Sequence, residues 1–464
     1  MWVALKRFGF LSGLLALTVL SACSAFRKPD KFEGYYINNI PGSAEIDHAN
    51  YDLTFSLGFF NRIEKTEKDK SQIDFGSIHG TGWLIDWKEV DKKDKKANKF
   101  TVYLATNLHV IQALKNREDH PPYNQFDINF VRTVDFRIGK YTDVKQFVAP
   151  SKLGLPNSTQ AFVAAQPTVL PKTAFIAHDF VNYTLSKDQK NKKQREQQWK
   201  VQIKPNKDEV HPYADSAVLE LPLFLNNSSD RQIFDHFIQP AIRAYKQLGD
   251  SLNIFAYPTL DQFKHSHYYV LGYPYIAKKL PTLFVNQTGK EKTVPGETAQ
   301  IPNDQPFVST INEEGPHLGR IKSDKFNGGT WAWNHDNIKN FPFNRQFRGK
   351  EYQMYGKGIG ITNGSLSRGA SGSLVLNNKR QIVAIYFASR ITETQEWGLA
   401  QLLRWKPRSV LNEEKDSVAY DLIFGNKNTT KYYAQFAKEH KTHLYEQIDR
   451  SNDQQFTFVK NQKC

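Results

Sequence analysis

Apolar residues in this chain fall into short alternating runs separated by polar, Gly- and Pro-marked breaks, which predicts a mainly β protein. Alternation over Tyr51–Phe60 predicts a first strand, and Ile63–Lys70 a charged loop after it. Ile73–Ile85 and the run from Phe100 to His109 predict a hairpin whose second strand ends in a histidine. The Asp91-Lys92-Lys93-Asp94-Lys95-Lys96 run between them reads as a solvated tip. Phe126–Ile138, Phe147–Leu155, the run after Asp215, Tyr269–Pro274, Leu374–Leu376 and Gln381–Ala388 supply further strands.

Two stretches break the β pattern. Leu223–Leu252 carries Phe234, Phe237, Ile238, Ile242 and Leu248 at helical spacing, as a connection between two β units would. Near the end, Tyr433, Phe436, Ala437, His440, Leu444 and Ile448 line one face of a single predicted helix. Asp188–Lys200 is Lys/Gln/Arg-rich, with loop or exposed-helix character, and Ala277–Phe347 is rich in Pro, Asn, Gly and Thr, predicting loops and short strands. The stretch from His109 to Asp215 exceeds what a minimal barrel needs and predicts inserted structure, suited equally to substrate recognition and to padding. No internal repeat is evident.

The first residues stand apart from the fold. Lys6 and Arg7 precede an apolar run, Phe8–Leu20, that is too short for a comfortable membrane span. Leu20-Ser21-Ala22-Cys23 follows and resembles a bacterial lipobox, which implies a signal peptide over residues 1–22 and acylation of Cys23. Residues 23–50 are polar and Pro-punctuated, the character of a tether. The chain has 2 cysteines, and with Cys23 acylated, Cys464 has no intramolecular partner, so the fold must stand on its core. At 464 residues and 39% hydrophobic it has material for one. The formal charge of +15 reads as Lys-rich solvated faces. Basic and aromatic residues do not gather into a nucleic-acid motif, and neither an H-E-x-x-H pattern nor a phosphate loop occurs, so neither nucleic acid nor a metal or other cofactor is expected.

The candidate chemistry lies in three separated segments. Gly369-Ala370-Ser371-Gly372 places a serine on a tight turn leading into an apolar strand, so that the Gly369 and Ser371 amides can converge on one oxyanion. His109 closes the upstream hairpin, and Asp215 stands at the mouth of Ser216-Ala217-Val218-Leu219-Glu220-Leu221. In these roles Ser371 is the nucleophile, His109 the base and Asp215 the group that orients the imidazole. His79 is a rival base but precedes a strand rather than ending one. Asp179 competes with Asp215, and Ser367 and Ser373 flank the nucleophile without the Gly-x-Ser-Gly frame.

These segments resemble those of chymotrypsin-fold serine proteases. Gly80-Thr81-Gly82-Trp83-Leu84-Ile85, Leu104-Ala105-Thr106-Asn107-Leu108-His109-Val110-Ile111 and Asp215–Leu221 are especially similar to the HtrA-like branch. With the lipobox and Tyr420-Asp421-Leu422-Ile423-Phe424-Gly425, the whole resembles the mycoplasma immunoglobulin protease family of surface lipoproteins. The resemblance implies a mainly β, chymotrypsin-like double β-barrel with inserted loops and strands: a protease domain over 51–425, with barrels at about 51–225 and 265–425. A C-terminal helix and tail at 426–464 would follow. It also implies a lipid-anchored serine endopeptidase on the outer face of the cell membrane. The substrate would be host immunoglobulin heavy chain, presented by a separate immunoglobulin-binding protein.

One departure matters. The residue before the nucleophile is Ala370 where the wider family has Asp, so activation through capture of a new N-terminal amine is not expected. A catalytically silent adhesin on the same barrel and an HtrA-type housekeeping protease are the alternatives. The intact His-Asp-Ser set weighs against the first, and the lack of a recognisable PDZ-like segment after Ser371 against the second.

Overall fold

The computed structural model describes residues 46–67, 70–90, 98–124, 131–143, 160–181, 211–257, 268–274, 350–354, 356–362, 366, 368–391, 396–405 and 419–450, with short strands at 34–36, 284–286, 293–294, 297–298, 317–318 and 345–347. The fold is mainly β. Two large sheets, antiparallel in nearly every pairing, carry the three candidate segments.

The first sheet runs in the order Arg345–Phe347, Lys350–Met354, His211–Phe224, Lys99–Thr106, Lys70–Lys88, Thr54–Glu67, Val131–Asp143 and Gln160–Ala165, and Lys172–His178 also pairs with His211–Phe224. The second runs Gly34–Tyr36, Phe284–Asn286, Tyr268–Gly272, Leu374–Asn377, Ile382–Ile391, Glu396–Leu402, Gly356–Thr362 and His317–Leu318. Each sheet borrows from the far end of the chain. Gly34–Tyr36, inside the stretch read as a tether, pairs with Phe284–Asn286, while Lys350–Met354 pairs in parallel with the start of His211–Phe224.

Several local expectations shift for identifiable reasons. The predicted strand at Tyr51 begins instead at Thr54, because Ile46–Leu53 forms a helix. That helix is tied down by Asn50 donating to the Tyr269 carbonyl at 3.1 Å, and the buried Lys140 ammonium donates to the Tyr51 and Asp52 carbonyls at its C-terminus. The charged stretch from Ile63 continues as strand to Glu67, since the partner Lys70–Lys88 satisfies its backbone groups along a long ladder. Phe147–Leu155 and Asp188–Lys200 lie outside the described residues. Within Ala277–Phe347 the described strands are two or three residues long.

The helical connection forms as Ser228–Ile233, a π turn at Phe234–Ile238 and Gln239–Leu248. The terminal helix is two helices, Tyr433–His440 and His443–Arg450, broken where Lys441 takes φ 53°. A buried carboxylate holds the break in place. Asp86 Oδ1 accepts the amides of Trp87 at 2.8 Å and Leu444 at 2.9 Å, and Oδ2 accepts the Tyr433 hydroxyl at 3.2 Å. Its burial pushes the carboxyl up to about 7, against which these hydrogen bonds act. The continuous core beneath includes Trp83, Trp87, Trp405, Tyr103 and Tyr245.

Candidate active site

His109 reaches the surface through a change of secondary structure. Strand Lys99–Thr106 stops three residues before it, and His109 sits in a single helical turn, Leu108–Ile111. Leu108, Val110 and Ile111 are buried, which fixes the turn and leaves the imidazole at 21% exposure. Asp215 lies in strand His211–Phe224, which pairs with Lys99–Thr106 up to Thr106↔Ala217 and so brings the carboxylate beside the turn.

The two side chains meet closely. His109 Nδ1 is 2.6 Å from Asp215 Oδ2, and the His109 amide donates to Oδ1 at 3.0 Å. The carboxylate is 2% exposed, so its partners rather than water decide its orientation. Asn107 Nδ2 donates to the Asp215 carbonyl at 2.6 Å, and the Asp215 amide donates to Gln401 Oε1 at 2.7 Å. A carboxylate at Nδ1 favours the proton on that nitrogen and leaves Nε2 as the basic one.

Ser371 is carried by the turn before strand Leu374–Asn377, in the second sheet. Gly372 has φ 96°, and a Cβ there would lie 2.0 Å from the Thr81 carbonyl and 2.4 Å from Thr106 Oγ1. The glycine after the serine is therefore required by the approach of the first sheet as well as by the turn. The Gly372 and Ser373 amides are engaged with the Tyr386 and Ala370 carbonyls at 2.8 and 3.0 Å. Among the described residues the Gly369 and Ser371 amides have no acceptor. The half-buried Ser371 hydroxyl donates to the Phe387 carbonyl at 3.4 Å, not to the imidazole.

Thr81 joins the two sheets at this point. Its amide donates to the Ser371 carbonyl at 2.8 Å and its hydroxyl to the Gly369 carbonyl at 2.8 Å. The same hydroxyl accepts the Tyr273 amide at 3.0 Å, and the Thr81 carbonyl accepts Thr106 Oγ1 at 2.7 Å. One buried residue thus holds both ends of the serine turn.

The rivals are placed elsewhere or used otherwise. His79 packs edge-on against Phe60 at 5.7 Å, and burial, followed by the Arg137 charge, holds its pKa down to about 4. Asp179, at φ 50°, donates its amide to the Pro212 carbonyl at 2.7 Å and accepts Thr430 Oγ1 at its carbonyl, also at 2.7 Å; the carboxylate at His109 is that of Asp215. Ser373 is fully buried and donates to the Ala370 carbonyl at 2.6 Å. Ser367, Cys23 and Cys464 lie outside the described residues.

Sequence reasoning overlooked Thr81, Asn107 and Gln401 as parts of this site. Polar residues inside otherwise apolar runs were the available signal for the first two. Gln401 had none.

Comparison with known proteins places the chain among mycoplasma lipoproteins. A family model described as mycoplasma immunoglobulin protease matches residues 44–388. A lipoprotein of Mycoplasma pneumoniae is 99% identical over 95% of this chain and 100% of its own length. A lipoprotein of Mycoplasma genitalium is 37% identical over 90% of this chain and 89% of its own. Among solved structures, the mycoplasma MIB and MIP proteins align with TM-score 0.49 and 14% identity over 82% of this chain and 62% of that one. An HtrA-type protease aligns with TM-score 0.29 and 9% identity over 77% and 63%. The chain spans less than two thirds of either of those two structures. The match of the family model across residues 44–388 makes the chain a member of the mycoplasma immunoglobulin protease family.

Proposed function

We propose that this chain is a serine endopeptidase anchored to the outer face of the cell membrane through acylated Cys23, with Ser371 as nucleophile, His109 as general base and Asp215 as its orienting carboxylate. The observation that carries the reading is the 2.6 Å His109–Asp215 contact, with the serine turn docked beside it on Thr81. In the reaction, the Ser371 hydroxyl rotates from the Phe387 carbonyl toward His109 Nε2 and attacks the scissile carbonyl as its proton passes to the imidazole. The Gly369 and Ser371 amides receive the oxyanion, a contribution of about 3 kcal/mol for one such donor. His109 then returns the proton to the leaving amine, and water repeats the sequence to release the acyl group.

Family membership supports immunoglobulin heavy chain as the substrate and, through the family resemblance, a separate immunoglobulin-binding protein as the partner. The decisive experiment is fluorophosphonate labelling of the purified protein beside Ser371→Ala and His109→Ala, then incubation with immunoglobulin with and without such a partner. Label on Ser371, absent from both variants, with cleavage that needs Ser371, is expected. Asp215→Asn should lower turnover about 10,000-fold while leaving Ser371 in place. The turn of the Ser371 hydroxyl toward Phe387 favours a second reading, a silent binding protein on the protease fold. Failure to label, even with partner and substrate present, would support that reading.

A further inference from the structure

Beyond Asp215 on the same strand, a second cluster of titratable side chains converges from three parts of the fold. His120 comes from the segment after the His109 turn, Glu220 from strand His211–Phe224 and His440 from the end of helix Tyr433–His440. Their ligand atoms all lie within 4.8 Å of one another. His120 Nε2 and Glu220 Oε2 are 3.2 Å apart. Bonds of about 2.0–2.1 Å to a tetrahedral Zn2+ place neighbouring ligand atoms about 3.3 Å apart. One edge of such a site is therefore already formed, and closing the widest one takes about 1.5 Å, within the reach of side-chain torsions.

The supporting shell has the character of a metal site. His440 Nδ1 donates to the Phe436 carbonyl at 3.0 Å, which sets the tautomer and leaves Nε2 with its lone pair. Its ring is stacked on Phe436 at 3.8 Å and cannot turn freely. The segment bearing His120 is fixed by Asp119, which accepts the His120 amide at 2.8 Å and binds the Thr173 amide and hydroxyl at 2.5 and 2.7 Å. Glu220 is 12% exposed and His120 33%, so the carboxylate is largely dry while one side stays open to a water ligand.

The geometry points to a divalent transition-metal site formed by His120, Glu220 and His440, suited to Zn2+ with water as the fourth ligand. Two imidazoles and one carboxylate match zinc and its neighbours rather than Mg2+ or Ca2+, which take mostly oxygen ligands. Glu220 is five residues from Asp215, about 16 Å along a strand, so the ion takes no part in acyl transfer. Its effect is structural: it clasps the terminal helix to the first sheet.

The test is titration of the chelator-stripped full chain with ZnCl2 by calorimetry, with MgCl2 as control and Glu220→Gln and His440→Ala beside it. Saturation near one Zn2+ per chain is expected from this site, with a rise of several degrees in the melting midpoint, no response to Mg2+, and an affinity loss of about 100-fold or more in each variant. Circular dichroism of both variants checks folding, and Co2+ absorption in the wild type reports four-coordination. Absence of saturable zinc binding overturns the proposal. So does binding that survives unchanged in either folded variant, because the zinc would then be held elsewhere and the cluster would be an ion pair with stacked rings.

Discussion

Thr81→Val tests whether the two sheets are held in catalytic register by one hydroxyl. Valine keeps the shape and removes Oγ1, which donates to the Gly369 carbonyl at 2.8 Å and accepts the Tyr273 amide at 3.0 Å. Thr81 and Tyr273 are both fully buried, so water does not replace the hydroxyl at the Tyr273 amide. Leaving the buried Tyr273 amide and the partly buried Gly369 carbonyl unpaired costs about 1–3 kcal/mol each, or roughly 2–6 kcal/mol together as an upper range. Thr81→Ser retains the hydroxyl and loses one methyl group, at about 1 kcal/mol. Urea unfolding should therefore separate the two variants clearly. Gly369 also carries a proposed oxyanion amide, so Thr81→Val should slow fluorophosphonate labelling of Ser371 by about 10-fold or more in protein that remains folded. Equal stability and equal labelling of the two variants would refute the claim that the hydroxyl docks the serine turn.

Gly372→Ala forces a Cβ to within 2.0 Å of the Thr81 carbonyl at φ 96°, and because that neighbour is backbone the turn must move; loss of several kcal/mol in urea unfolding is expected, against less than about 0.5 kcal/mol for the exposed Arg368→Ala. Asp86→Ala strips the acceptor from the Trp87 and Leu444 amides and the Tyr433 hydroxyl, and should cost about 3 kcal/mol or more, with faster hydrogen exchange at Leu444. His79, held near pKa 4 against an ordinary 6.5, stays neutral in the folded chain while the unfolded chain protonates. Its contribution is present above about 6.5 and lost as pH falls toward 4, so His79→Gln should flatten the rise of stability between those values; an unchanged slope would contradict that assignment.

The amino-acid sequence by itself determined the β character, the helical connection and the three segments that carry His109, Asp215 and Ser371. Each depends on periodicity or turn chemistry within a few neighbouring residues. It also marked Gly372 as a turn glycine, though the stronger requirement, the approach of the Thr81 carbonyl, lies in the other sheet. Tertiary structure decided the rest. The Asp215 amide rests on Gln401, 186 positions away, and the Thr81 hydroxyl on Gly369, 288 away. The same holds for Asp86 at the break between the last two helices, and for Glu220 between His120 and His440. A residue's own neighbourhood in the chain encodes its strand or turn. Which buried donor finds which acceptor depends on surfaces that meet only after the sheets have formed, and at these places the cost of an unpaired buried group selects the partner.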